Sequence, residues 1–113
     1  MTALRLIPLP IHAALEMLVG LVLGIAPFAL GMSTAAAFVG VIAGVLVVGL
    51  ALQSIDADVH IAAHLAADQG LALGLASAGA VMAAAGDPLA AALFAGAAVT
   101  HLLLILATKY TAR

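Results

Sequence analysis

Two short segments of this sequence place a histidine and a carboxylate at the same spacing. HAALE at 12–16 and HLAAD at 64–68 each read histidine, three apolar residues, carboxylate. On a helix, residues four apart lie on the same face, so each segment would present an imidazole and a carboxylate together. Two further histidines stand close to or within apolar sequence. The four histidines and these two carboxylates form the candidate set, which is His12, Glu16, His60, His64, Asp68 and His101.

Imidazole nitrogen and carboxylate oxygen are ligands of Zn, Fe, Mn and Cu ions, and helical bundles build such sites from facing helices. The sequence therefore predicts a transition-metal site within this set. Its predicted ligands are His12, Glu16, His64, Asp68 and His101, with His60 at the periphery. A b-type haem held by paired histidines, such as His64 and His101, is an alternative. A proton relay through the same groups is another, and so are hydrogen bonds that only fix the helix register.

The rest of the sequence is too apolar for a water-soluble protein. Of its 113 residues, 67% are hydrophobic and 7% are charged, and the mean hydropathy is +1.37. Soluble domains carry roughly 25% charged residues. We therefore predict a membrane protein in contact with the lipid bilayer. Three basic residues cannot neutralise a run of phosphates, which excludes nucleic-acid binding. The absence of cysteine excludes thiolate metal sites.

The turn signals divide the chain into four lengths suited to crossing a bilayer, each near the roughly 20 helical residues that this needs. Asp56 or Asp58 would cap the third span, and Gly-Asp-Pro at 86–88 reads as helix stop, N-cap and first-turn proline. The predicted fold is a single-domain, all-α bundle of four transmembrane helices. The predicted spans cover residues 10–30, 34–52, 58–85 and 88–108.

The candidate ligands fall at similar depths in this predicted bundle. At 1.5 Å of rise per residue, the three histidines at 12, 64 and 101 lie roughly 9–12 Å in from the span ends. Glu16 and Asp68 lie about one turn deeper. Basic residues occur only on the two tails, which an even number of spans places on one side. By the positive-inside rule we expect cytoplasmic termini and a site in the cytoplasmic half of the bundle.

Small residues and an internal repeat predict how the helices pack. GxxxG spacings at 20–24 and 40–44 favour close backbone approach, which holds helices together in lipid. HAALE and HLAAD are each followed by Gly-Leu-x-Leu-Gly, at 20–24 and 70–74, which indicates two repeated helical hairpins. A bundle of this size buries a narrow core. We therefore expect a homo-oligomer or a subunit of a larger membrane complex.

One stretch of the chain also suggests a family. Residues 18–52 contain a glycine-punctuated helix ending in a proline-containing tripeptide, then Leu-Gly, a short turn and a second helix with Gly-Val-Leu-Val-Val. This arrangement resembles the SPW-repeat family of small bacterial integral membrane proteins. The namesake Ser-Pro-Trp is Ala-Pro-Phe at 26–28 here. The resemblance implies a helical bundle in a bacterial inner membrane and supplies no catalytic residues.

Three functions follow from these observations. Binding of a transition metal or metal cofactor by the His/carboxylate set is the leading hypothesis. A structural or assembly subunit, with the polar groups as contacts between helices, is the second. Proton or ion translocation ranks last, because the opposite half of every span is built of Ala, Gly, Leu and Val. The sequence contains no nucleophile–base arrangement, phosphate loop or dinucleotide fingerprint, so enzyme activity stays open.

Overall fold

The computed structural model describes residues 5–55 and 60–110, and it confirms the predicted all-α bundle. All four helices are long and apolar enough to cross a membrane, so the chain is a multi-pass membrane protein. Their outward faces carry exposed Leu, Ile, Val and Phe side chains, which suit contact with lipid. The helices are α1 (Leu9–Ala29), α2 (Thr34–Ser54), α3 (Ile61–Ala84) and α4 (Pro88–Ala107).

The starts of α2 and α4 follow the local turn chemistry. Ser33 precedes α2, and its Oγ accepts a hydrogen bond of 3.2 Å from the backbone N–H three residues on. Asp87 precedes α4 and caps it in the same way through Oδ1, also at 3.2 Å. Gly86 adopts φ +79°, the left-handed conformation that ends many helices. The helix stop, cap and proline predicted at 86–88 are confirmed.

The boundary between α2 and α3 differs from the prediction. α2 continues to Ser54, whose hydroxyl donates 2.8 Å to the Ala51 carbonyl. α3 begins at Ile61, and the preceding His60 makes no capping hydrogen bond through its side chain. The predicted caps Asp56 and Asp58 lie outside the described residues. The third helix is therefore shorter at its start than the predicted span.

Glycines allow the backbones of paired helices to come into direct contact. A methyl group placed on Gly40 would lie 2.5 Å from the Leu23 carbonyl oxygen, and one on Gly44 2.7 Å from the Gly20 carbonyl oxygen. A methyl group on Gly79 of α3 would lie 3.0 Å from a backbone nitrogen of α4. Backbone atoms cannot rotate away as a side chain would. The close packing predicted for the two GxxxG segments is confirmed at Gly20, Gly40 and Gly44.

The bundle consists of two helical hairpins that are joined at their ends. Contacts are dense within the pairs α1–α2 and α3–α4 and sparse between the pairs. At one end, the Ser33 hydroxyl donates 2.9 Å to Asp87 Oδ2, linking the two hairpin turns. At the other end, Ile7 forms a β-bridge with Thr108. In this Ile7–Thr108 bridge, the backbone N–H of Lys109 donates 2.8 Å to the Ile7 carbonyl.

Candidate metal centre

Five ionisable side chains from three helices meet in the core, near the end closed by the Ile7–Thr108 bridge. α1 supplies His12 and Glu16, α3 supplies His64 and Asp68, and α4 supplies His101. All five side chains are buried, at 0–2% exposure. Each hairpin therefore contributes one His/carboxylate pair from its first helix. The predicted convergence of these groups is confirmed.

Four of the five residues each place a ligand atom within 4.8 Å of the other three, and they are His12, Glu16, His64 and Asp68. We call them the four-residue group. His12 Nε2 lies 2.6 Å from Glu16 Oε2 and 3.2 Å from Asp68 Oδ2. His64 Nε2 lies 3.8 Å from Glu16 Oε2 and 3.4 Å from Asp68 Oδ2. Tetrahedral ligands around Zn²⁺ are about 3.3 Å apart. The two distances to Asp68 Oδ2 are close to that value, while the His12–Glu16 pair would have to open and the His64–Glu16 pair to close by about 0.5 Å.

The His/carboxylate contacts leave part of the cluster unsatisfied. The Nε2 atoms of His12 and His64 face carboxylate oxygens at the distances given above, but Glu16 Oε1 and His64 Nδ1 are buried with no hydrogen-bond partner in the part of the chain that the structure describes. Buried polar atoms without partners are rare, and each costs free energy unless something satisfies it. The residues thus fit a bound cation, because lone pairs left free by the protein are what a cation requires.

A second set of contacts holds the ligand side chains in place. His101 Nε2 lies 3.2 Å from Asp68 Oδ1, and the Tyr110 hydroxyl donates 2.8 Å to Asp68 Oδ2. On the other side of the site, His12 Nδ1 lies 2.7 Å from Thr108 Oγ1. Metal-binding side chains are characteristically oriented by such outer partners. Asp68 and His12 are therefore oriented by contacts outside the four-residue group.

Tyr110 lies beyond α4, where the extended chain crosses the end of the site. Its ring centroid is 5.6 Å from that of His12, in an edge-on arrangement. Burial of the phenol, together with its hydrogen bond to Asp68, raises the pKa of Tyr110 well above its ordinary value of 10. Tyr110 therefore stays protonated and acts as a donor at physiological pH.

A dication would balance the charge of the site. Glu16 and Asp68 place two carboxylates where solvent does not reach, and an isolated buried charge is strongly unfavourable. Arg5, the one arginine among the described residues, donates to the Thr108 carbonyl at 3.0 Å. A divalent ion bound by two carboxylates and two neutral imidazoles would leave the site neutral.

The structure assigns different positions to the six residues singled out in the sequence. His12, Glu16, His64 and Asp68 form the four-residue group. His101 reaches the site only through Asp68 Oδ1, so it is a hydrogen-bonding partner of a ligand. His60 is exposed, precedes α3 and does not join the group.

The sequence interpretation missed Thr108 and Tyr110. Thr108 lies seven residues after His101, two helical turns along the same face, and this spacing could have revealed it. Tyr110 follows the end of α4 in extended chain, where no helical periodicity indicates its direction. Its position depends on the Ile7–Thr108 bridge, a contact between residues far apart in sequence.

Comparisons of the chain with family models, with curated proteins and with solved structures found no match. The resemblance of residues 18–52 to the SPW-repeat family stays a prediction.

Proposed function

We propose that this protein binds one divalent transition-metal ion inside the membrane through the four-residue group. The observation that carries the proposal is the set of donor atoms that lie within 4.8 Å of one another yet include buried atoms without a hydrogen-bond partner among the described residues. A purely structural cluster would satisfy Glu16 Oε1 by a hydrogen bond as well. A metal ion would accept lone pairs from all four residues together.

The donor set limits the kind of ion. Two imidazole nitrogens and two carboxylate oxygens suit borderline and harder dications, while thiolate or thioether ligands would select Cu(I). We propose Zn²⁺, Fe²⁺, Mn²⁺ or Cu²⁺ as the class of ligand. The Nε2 atoms of His12 and His64 both face Asp68 Oδ2, while Oδ1 faces His101, so we propose Oδ2 as the Asp68 ligand atom.

Haem fits this arrangement less well than an ion does. Axial ligation by His64 and His101 would require a porphyrin to lie between the two imidazoles. Asp68 lies there, with one carboxylate oxygen 3.4 Å from His64 Nε2 and the other 3.2 Å from His101 Nε2. A haem would have to displace that carboxylate and open the bundle.

A structural role in assembly is the second candidate, and the sparse contacts between the two hairpins favour it. The polar cluster joins α1 of the first hairpin to α3 and α4 of the second. In this case the groups would fix the packing of the hairpins without any ion. We further propose that the protein resides in a bacterial plasma membrane with cytoplasmic termini, as a homo-oligomer or a subunit of a larger complex.

Metal analysis of the purified protein separates the two candidates. The wild type and the variants His64→Ala and His60→Ala are purified in detergent, supplied with Zn²⁺, Fe²⁺, Mn²⁺ or Cu²⁺, and freed of loosely bound ions by gel filtration. Mass spectrometry should then find one equivalent of metal in the wild type and in the His60 variant, and little in the His64 variant. Equal content in all three, or none in the wild type with any of these ions, would leave only the structural candidate.

A further inference from the structure

The hydroxyl of Thr108 has only one possible hydrogen-bonding arrangement. Thr108 is fully buried at the end of α4, and its Oγ1 lies 2.5 Å from the Leu104 carbonyl oxygen and 2.7 Å from His12 Nδ1. A hydroxyl has one hydrogen, and a carbonyl oxygen can only accept. The Thr108 hydrogen is therefore directed to Leu104, and the oxygen that faces His12 must accept.

It follows that His12 carries a proton on Nδ1 and donates it to Thr108. We infer that Thr108 is a positioning residue of the metal site, because it fixes His12 with Nδ1 protonated and Nε2 turned toward Glu16 and Asp68. The inference rests on the proposed function. In the opposite neutral tautomer, a hydrogen on His12 Nε2 would point into the space of the ion. The lone pair of His12 Nδ1 would then face a lone pair of Thr108 Oγ1, which is repulsive.

Hydrogen bonds to the backbone of Thr108 and its neighbours fix the position of this residue. Arg5 donates a hydrogen bond of 3.0 Å to the Thr108 carbonyl, and the Ile7–Thr108 bridge pairs the two chain segments on either side of the site. The chain leaves helical geometry at Thr108, with φ −88° and ψ 140°. The hydroxyl is consequently presented from a fixed backbone, which is what a residue that selects a tautomer requires.

A matched set of threonine variants tests this inference. Thr100 donates to the carbonyl four residues earlier, as Thr108 does, but it is exposed and touches no histidine among its hydrogen bonds. Zn²⁺ affinity is measured in detergent by competition with a chromophoric chelator. Thr108→Val should bind Zn²⁺ about 10–100-fold more weakly, the usual effect of losing an outer partner. Thr108→Ser, which keeps the hydroxyl, and Thr100→Val should retain wild-type affinity.

A second measurement tests the tautomer without metal. In ¹⁵N-histidine NMR of the metal-free wild type, His12 Nδ1 should carry a bonded proton that exchanges slowly with solvent, and Thr108→Val should lose that protection. A bare Nδ1 in the wild type, or wild-type Zn²⁺ affinity in Thr108→Val, would overturn the inference. A protected Nδ1 proton in a wild type that binds none of Zn²⁺, Fe²⁺, Mn²⁺ or Cu²⁺ would refute metal binding while supporting the hydrogen-bond assignment.

Discussion

Replacing Glu16 with glutamine should have opposite effects on stability in the presence and absence of metal. Glu16 Oε1 is buried and lacks a hydrogen-bond partner within residues 5–55 and 60–110, while Oε2 lies 2.6 Å from His12 Nε2. The metal-free wild type therefore carries a buried carboxylate that the protein satisfies at one oxygen only. Glutamine has nearly the same shape and no charge, so the metal-free Glu16→Gln variant should be the more stable protein.

The size of the effect follows from the geometry of the site. An unsatisfied buried group costs about 1–3 kcal/mol, so we expect Glu16→Gln to raise the free energy of unfolding by about this amount without metal. Metal at a thousand times its dissociation constant should stabilise the wild type by about 4.1 kcal/mol. The variant, which lacks one anionic ligand, should gain little. The stability order of the two proteins should therefore reverse when metal is added.

Denaturant unfolding in mixed micelles measures this reversal, once with a chelator and once with saturating Zn²⁺. His60→Ala, which changes an exposed residue outside the group, is the matched control and should follow the wild type in both conditions. If Glu16→Gln is less stable than the wild type in chelator as well, Glu16 is a structural partner of His12. The free-energy cost assigned to the unpartnered Glu16 Oε1 would then be wrong.

Three further predictions concern Asp68, Tyr110 and the packing of α1 against α2. Asp68→Asn should destabilise the metal-free protein by about 1.5–3 kcal/mol, because Asp68 accepts hydrogen bonds that a charged acceptor strengthens; unchanged unfolding in chelator would contradict this. Tyr110, the single tyrosine of the chain, should show no tyrosinate absorbance at pH 10, its ordinary pKa. The folded state holds this proton more tightly than the unfolded state, so the associated stability is complete below pH 10 and falls as pH rises toward the higher folded value. A normal absorbance titration of Tyr110 would refute the buried hydrogen bond. Gly44→Ala should destabilise the bundle by several kcal/mol relative to Gly49→Ala, since an added methyl group meets backbone at 2.7 Å in the first and nothing within 4 Å in the second; equal thermal unfolding of the two variants would show that α1 and α2 do not pack this closely.

The helices and the polar pairs could be predicted because both depend on local sequence. Apolar length sets the number of spans, and four-residue spacing places His64 and Asp68 on one helical face. In a Gly-Asp-Pro tripeptide the glycine favours the end of one helix, and the aspartate and proline favour the start of the next. The structure shows this arrangement at 86–88. Convergence of the pairs followed from their common depth, a geometric consequence of helical rise.

The roles of the surrounding residues could not be predicted in the same way. Whether His101 binds an ion or a carboxylate depends on how α4 is rotated about its axis relative to α3. Because the helix is apolar on every side, its sequence does not indicate which side faces α3. Thr108 matters only because His12, 96 positions away, lies beside it. Tyr110 is directed by pairing of two extended segments, which depends on the completed bundle. The roles of these three residues depend on contacts between segments that are far apart in sequence.

X-ray absorption of the metal-loaded, purified protein tests the central claim most directly. For Zn²⁺ we predict a first shell of nitrogen and oxygen at about 2.0–2.2 Å without sulfur, with outer-shell scattering from two imidazoles. Replacing His64 with alanine should remove one of those imidazole contributions. A shell of oxygen alone, as from a hydrated ion on the protein surface, or scattering that does not change in the His64 variant, would contradict the proposed metal centre.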